Sequence, residues 1–371
     1  MMNNTVLLHI VERLEGFLGK LPDSIRNPVL NELTPLKELF LQQRPPRFAL
    51  TGSHPMPLLE FAAQIFAEGA GETPAREMLT GLYRWQKISL GHHGSIQLLD
   101  ARGADEAALA LVRDELKSQP ADLFFFLPAE RAAKVETRKE AERLERMLNW
   151  NSNFGVGAKL IELRNNAADS LWPLAQAMEA PAIHASLLGV HSLSKTLLGT
   201  LASELPNEAR VEMVRIGGDR AAQVQIAEML VKSTSAICAA IGAQPNPLAD
   251  LPILTTLQLV MVSGIMYISG RERSMRAATE FVGAIGANVG LGMVLREGTR
   301  AALKFFPGWG NVLCGMVAGA GTFAIGRAAT VYFIEGATLR EARRAFVRNK
   351  KKRIALPSKK KKALPESSTK R

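Results

Sequence analysis

Apolar and polar positions change rhythm along this chain. Residues 47–61 read as a short buried strand, a turn and a helix. Further strands follow at 83–90, 95–99, 122–127 and 158–163. The run 122–127 is continuously apolar from its second residue, as expected of a strand buried on both faces. Residues 107–118 and the charged stretch 131–148 carry the helical period. Gly91 to Gly94 joins two of the strands, and 69–73 is a glycine-rich loop. Strands alternating with helices predict an α/β, three-layer fold on a parallel sheet.

Beyond about residue 206 alanine, leucine and methionine dominate and strand signals fade. Residues 221–243 form one long predicted helix, which Pro245-Asn246-Pro247 breaks. The stretch 251–336 is apolar and glycine-rich. Ahead of the first strand, 3–43 reads as two short amphipathic helices broken near Pro22 and Pro28. The pattern thus divides the chain into N-terminal helices at 1–43, an α/β domain at 44–205, an all-α Ala/Gly-rich helical domain at 206–340 and a tail at 341–371. No internal repeat of 20–50 residues is present.

Charge changes the picture at one end only. The formal net charge is +11, which first suggests nucleic acid or anionic lipid. Yet 14 of the 46 Lys and Arg lie from Arg340 onward, against 2 of the 35 Asp and Glu, so the preceding body is close to neutral. Such a like-charge block, with breaks at Pro357 and Pro365, is expected to be disordered beyond Arg353. It carries no aromatic interleaving beyond Phe346, which argues against specific base stacking, although counterion release onto RNA stays open. The two cysteines, Cys238 and Cys314, form neither a disulfide framework nor a metal cluster and read as buried thiols. With no basic-plus-apolar leader at the N-terminus, the expected location begins in the cytoplasm.

The candidate chemistry is a damaged phosphate loop. Gly52-Ser-His-Pro-Met-Pro57-Leu58-Leu59 stands where G-x-x-x-x-G-K-[ST] would follow a strand. Gly52 fits the first glycine. Pro57, Leu58 and Leu59 replace the second glycine, the lysine and the hydroxyl residue. The lysine would touch the terminal phosphates and the hydroxyl would hold magnesium. The nearest replacement cations, Arg44 and Arg47, precede the strand. Asp100-Ala-Arg-Gly103 follows a strand and matches D-x-x-G; Asn166-Ala-Ala-Asp169 follows another and matches N-K-x-D without its lysine. Ser192-Leu-Ser-Lys195 is a weaker candidate for a last base-contacting loop. His92 and His93, between glycines, read as turn residues.

In order and rough spacing these motifs resemble an Era/HSR-type bacterial GTPase. The stretches 217–231, 240–259, Phe306-Pro-Gly-Trp-Gly310 and 315–336 resemble the bacterial domain of unknown function that commonly follows such GTPases. The resemblance implies a P-loop GTPase-like domain whose vestigial nucleotide positions are Gly52, Asp100, Gly103, Asn166 and Asp169. The replacements at Pro57, Leu58 and Leu59 depart from that family's pattern and imply that catalysis is lost. The expected protein is a non-catalytic pseudo-GTPase, regulatory or scaffolding, with no resident cofactor and no metal. A GTP-binding switch using GTP and Mg2+ is the alternative, and an RNA adaptor acting through the tail is a further one.

The apolar half bears on location. Residues 251–270 and 305–326 are uncharged and of bilayer-spanning length, though Thr255, Thr256, Gln258, Ser263 and Asn311 moderate them. Gly286-x-x-x-Gly290 and Gly315-x-x-x-Gly319 suit close helix packing. Lys350 to Arg353 and Lys359 to Lys362 follow closely, which suits anionic headgroups on a cytoplasmic leaflet. The expected partners are the cytoplasmic membrane, anionic lipid through the Lys-rich tail, and a protein the sequence does not name.

Overall fold

The structure, a computed structural model, describes residues 23, 26–27, 30–33, 42–67, 73–78, 80–127, 134–155, 157, 159–164, 182–186, 197–199, 201–243, 247–286 and 310–354. Among the described residues seven strands form one sheet: β1 (Arg47–Gly52), β2 (Ala75–Arg76), β3 (Trp85–Ser89), β4 (Ser95–Asp100), β5 (Leu123–Leu127), β6 (Lys159–Arg164) and β7 (Ala182–Ser186). Their order is β2-β3-β4-β1-β5-β6-β7. The sheet is mixed, which corrects the purely parallel expectation. Strands β4, β1, β5, β6 and β7 run parallel, whereas β2–β3 and β3–β4 are antiparallel. The reason is connection length: the tight turn through Gly91–His93 reverses the chain directly, while a parallel pair needs a long crossover.

Strand β5 shows how the sheet is sandwiched. Its sequence LFFFL is buried throughout. Phe124 and Phe126 point to one face, with Ala49, Leu99 and Leu160, and are covered by α2 (Glu106–Ser118) and α3 (Lys134–Asn153). Leu123, Phe125 and Leu127 point to the other, against α1 (Leu58–Ala62), which runs on as a π-helical turn at Ala63–Ala67. There Phe48, Phe61, Phe66 and Phe125 pack their rings at 5.2–6.4 Å. This is the α/β arrangement the alternating pattern predicts.

The same buried cluster continues without interruption from Phe48 and Phe61 into the helical half. The helices there are α4 (Asn207–Gly217), α5 (Arg220–Gly242), α6 (Pro247–Ile268), α7 (Met275–Gly286), α8 (Gly310–Ala329, extended by a π-helical turn at Thr330–Ile334) and α9 (Leu339–Ile354). Asp219 starts α5 by accepting from Ala221 N and Ala222 N. Glycine lets α8 lie against α5: a Cβ on Gly315 would stand 2.6 Å from Ala239 O, and one on Gly319 2.8 Å from Ala239 Cβ. The small-residue spacing at Gly315 and Gly319 is therefore a close helix contact; Gly290 of the other pair lies outside the described residues.

The start of the basic segment is ordered. Residues 341–354 are helical within α9. Thr338 and Glu341 form a capping box: Thr338 Oγ1 accepts from Glu341 N (3.3 Å) and Thr338 N donates to Glu341 Oε2 (2.8 Å). Arg and Lys are good helix formers, and cations at the C-terminal turn suit the helix dipole. Residues 355–371 lie outside the described set.

Candidate functional site

Open α/β sheets bind ligands beyond the carboxyl ends of their parallel strands. Gly52 ends β1 and Asp100 ends β4, so both stand at that edge. The chain returns over β5 immediately after Gly52. Gly52 has φ +97°, and a Cβ there would lie 2.1 Å from Leu127 O; no other residue fits. Gly103 N donates to Gly52 O (3.1 Å), which draws the Asp100–Gly103 turn against the loop. The structure thus brings together Gly52, Asp100 and Gly103. Asn166 and Asp169, and the segment Ser192 to Lys195, lie outside the described residues.

A phosphate cradle works by aiming several backbone N–H groups at an anion. Between the strand and the helix, from Ser53 to Pro57, none is left to aim; the free amides begin with the first turn of α1, Leu58 to Glu60. Ser53 N and His54 N both donate to Leu127 O, at 3.1 and 3.2 Å. Met56 N donates to His54 Nδ1 at 3.2 Å. Pro55 and Pro57 have no N–H. Every amide from Ser53 to Pro57 is therefore engaged within the chain or missing.

What the loop presents is carbonyl oxygen, and a side chain from the neighbouring turn meets it. Arg102 Nη1 donates to His54 O (2.9 Å) and Met56 O (2.6 Å). The other edge of the guanidinium grips Asp100, Nε to Oδ1 at 2.8 Å and Nη2 to Oδ2 at 2.7 Å. The side chains of Arg102 and Asp100 are 10% and 27% exposed, so the pair is largely shielded from water. Four of the five guanidinium N–H groups are thereby committed. The polarity is the reverse of a phosphate cradle: carbonyls converge on an internal cation. The carboxylate of Asp100, the first residue of the D-x-x-G match, is neutralised by that same cation.

Arg44 and Arg47 do not reach this edge. Arg44 grips the buried Asp122 with both Nη atoms (2.7 and 2.6 Å), and Arg47 N donates to Asp122 Oδ2 (2.9 Å). These contacts lie at the start of β1 and β5, one strand length from Gly52. The cation beside the loop is Arg102, two residues beyond Asp100. In the sequence nothing but its place inside the D-x-x-G match distinguishes this arginine from the cations around the first strand.

A second polar cluster ties the sheet to the helices at that same far end. Glu212 of α4, 6% exposed, accepts from Ser95 N (3.1 Å), Gln43 Nε2 (3.0 Å) and Tyr267 Oη (2.6 Å). Gly94 holds φ +127°, a conformation that favours glycine, and a Cβ there would also fall 2.2 Å from Glu212 Oε1. Arg215 and Arg273 both stack on the Tyr267 ring, at 4.3 and 4.4 Å, and Arg273 also bonds Gln43. Burial, reinforced by the Glu212 carboxylate, raises the Tyr267 hydroxyl above its ordinary pKa. Burial lowers that of Arg273. Alternation and periodicity carry no sign of this cluster, because its members come from four separated segments.

Among the described residues no group of three or more His, Cys, Asp and Glu is placed to hold a metal ion. Two helical stretches, Arg220–Gly242 and Cys314–Ile334, are long and apolar enough to cross a membrane, and more than half of each is buried inside the molecule. Comparison with protein-family models and with curated proteins finds no match to this chain.

Proposed function

We propose that this protein is a pseudo-GTPase: a GTPase-like module that does not use nucleotide and serves as a regulatory or scaffolding part. One observation carries the reading, the engagement of Arg102 with Asp100 on one side and with the carbonyls of His54 and Met56 on the other. A terminal phosphate entering this loop would meet carbonyl dipoles, with no lysine at position 58 and no free amide from Ser53 to Pro57. The sheet edge at which Gly52, Asp100 and Gly103 converge supports the P-loop GTPase-like ancestry. The phosphate-release assay tests it. Full-length protein with GTP and Mg2+ is expected to release phosphate no faster than buffer; turnover that requires Mg2+ would overturn the proposal.

We further propose that the protein works at the cytoplasmic face of a membrane, held peripherally. The apolar length of α5 and α8 and the cationic α9 beside them support an association with lipid. The packing favours the peripheral form. After a turn of four residues α9 folds back along α8. A bilayer-spanning α8 in this packing would take the arginines of α9 into hydrocarbon, at about 2.5–3.5 kcal/mol each near the centre. Cell fractionation is expected to place the protein with membranes and to release it with salt. Recovery in the high-speed supernatant before any wash would remove the membrane part of the reading.

A further inference from the structure

The basic helix α9, LREARRAFVRNKKKRI, holds eight Lys and Arg and one acid. Two of its cations are structural. Arg343 Nε donates to Ala284 O of α7 (2.9 Å), and Lys350, 7% exposed, lies over the Phe346 ring at 5.8 Å. Arg340, Arg344 and Arg348 are different. All three are exposed, and none forms an ion pair among the described residues. Their spacing of four residues sets them in one stripe, about 12 Å long at 1.5 Å rise per residue. The one acid of the helix, Glu341, is turned into the N-terminal cap by Thr338. The opposite face is fully used: Ala342, Ala345 and Phe346 are buried in the bundle. The stripe is therefore a fixed row of guanidinium groups on a helix with no apolar face free to insert.

We propose that this stripe docks on the anionic phospholipid headgroups of a bilayer surface. The inference rests on the membrane reading above and names the contact that reading leaves open. Guanidinium groups bind phosphate with two parallel N–H donors, which suits a row of headgroup phosphates. Single-stranded nucleic acid fits less well. Proteins that hold it stack bases on exposed aromatic rings. The one aromatic of α9, Phe346, is fully buried. The contact is electrostatic, so it weakens with salt and requires acidic lipid.

The test is co-sedimentation of the full-length protein with vesicles of phosphatidylcholine, with and without phosphatidylglycerol. Three proteins are compared: wild type, the triple variant Arg340→Gln, Arg344→Gln, Arg348→Gln, and the charge-keeping triple variant to Lys. At roughly fivefold per basic residue near an acidic surface, the Gln variant loses about 100-fold in partitioning. The Lys variant retains most of the binding. Circular dichroism shows whether the Gln variant keeps its helices, and the Lys variant carries the test if it does not. Acidic-vesicle binding by wild type that is unchanged in the Gln variant overturns this inference and leaves the membrane reading standing. Absence of wild-type binding to either vesicle overturns both. Preference of the stripe for a duplex RNA over acidic vesicles, lost in the Gln variant, also overturns it in favour of a nucleic-acid surface.

Discussion

Replacing Arg102 by alanine removes a strut between two loops, and its cost can be worked from the contacts. The guanidinium makes a two-pronged pair with Asp100 at 2.7–2.8 Å and two further bonds to the carbonyls of His54 and Met56. Hydrogen bonds involving a charged group contribute about 1.5–3 kcal/mol when a partner is removed from a buried setting. The Asp100 side chain is 27% exposed and the loop borders solvent, so much of that loss is recovered by water. The expected net cost of Arg102→Ala is about 2 kcal/mol. Because Asp100 is the main partner, Asp100→Asn and the double variant complete a cycle with an expected coupling of about 1–2 kcal/mol. Arg102→Lys, with one compact ammonium in place of a planar fork, recovers less than half. Urea unfolding of the full-length variants measures the cycle. Hydrogen exchange at Ser53, His54 and Gly103 reports the loop directly, with about tenfold or greater loss of protection expected in Arg102→Ala. A coupling near zero, together with unchanged exchange at those amides, would refute the strut.

Further outcomes follow from single contacts. Gly52→Ala forces a side chain at φ +97° onto Leu127 O, 2.1 Å away, and is expected to cost more than about 3 kcal/mol or to abolish soluble expression; wild-type urea stability would show the geometry to be wrong. Gly315→Ala sets a methyl 2.6 Å from Ala239 O between α5 and α8, with an expected loss of about 1–3 kcal/mol in the same assay. Tyr267 holds its proton more tightly when folded, so its stabilising contribution is present below its ordinary pKa of 10.0 and is lost as pH rises through the raised folded value. Stability of wild type should therefore fall more steeply than that of Tyr267→Phe above about pH 10, in parallel thermal melts. Equal slopes would remove the linkage.

The sheet was readable because its strands obey local rules. The apolar run ending at Leu127 matches β5 (Leu123–Leu127), and the glycines from Gly91 to Gly94 mark the reversal between β3 and β4. The long helix α5 follows from its period and from Asp219 as cap. Two strands escaped notice. Strand β2 is two exposed residues defined only by pairing with Ser89 and Ile88, and β7, AIHAS, is too short and mixed to show a rhythm. The capping box at Thr338 and Glu341 is present in the sequence as T-x-x-E and marks where α9 starts. At the candidate site, the missing lysine, hydroxyl and glycine were visible by comparison with a motif. The replacement was not. An arginine two residues after an acid is unremarkable as sequence, and its role appears only when β1 and β4 lie side by side and set the Asp100–Gly103 turn under His54 and Met56. The Glu212 cluster was invisible for the same reason, since Gln43, Ser95, Glu212 and Tyr267 meet only in three dimensions.

The central claim is that the loop after β1 is closed on Arg102 and takes no nucleotide. Calorimetric titration of the full-length protein with a non-hydrolysable GTP analogue, with and without Mg2+, tests it most directly. The account predicts no saturable heat at micromolar to sub-millimolar ligand in either condition. A saturable isotherm that requires Mg2+ and disappears in Asp169→Ala would contradict it.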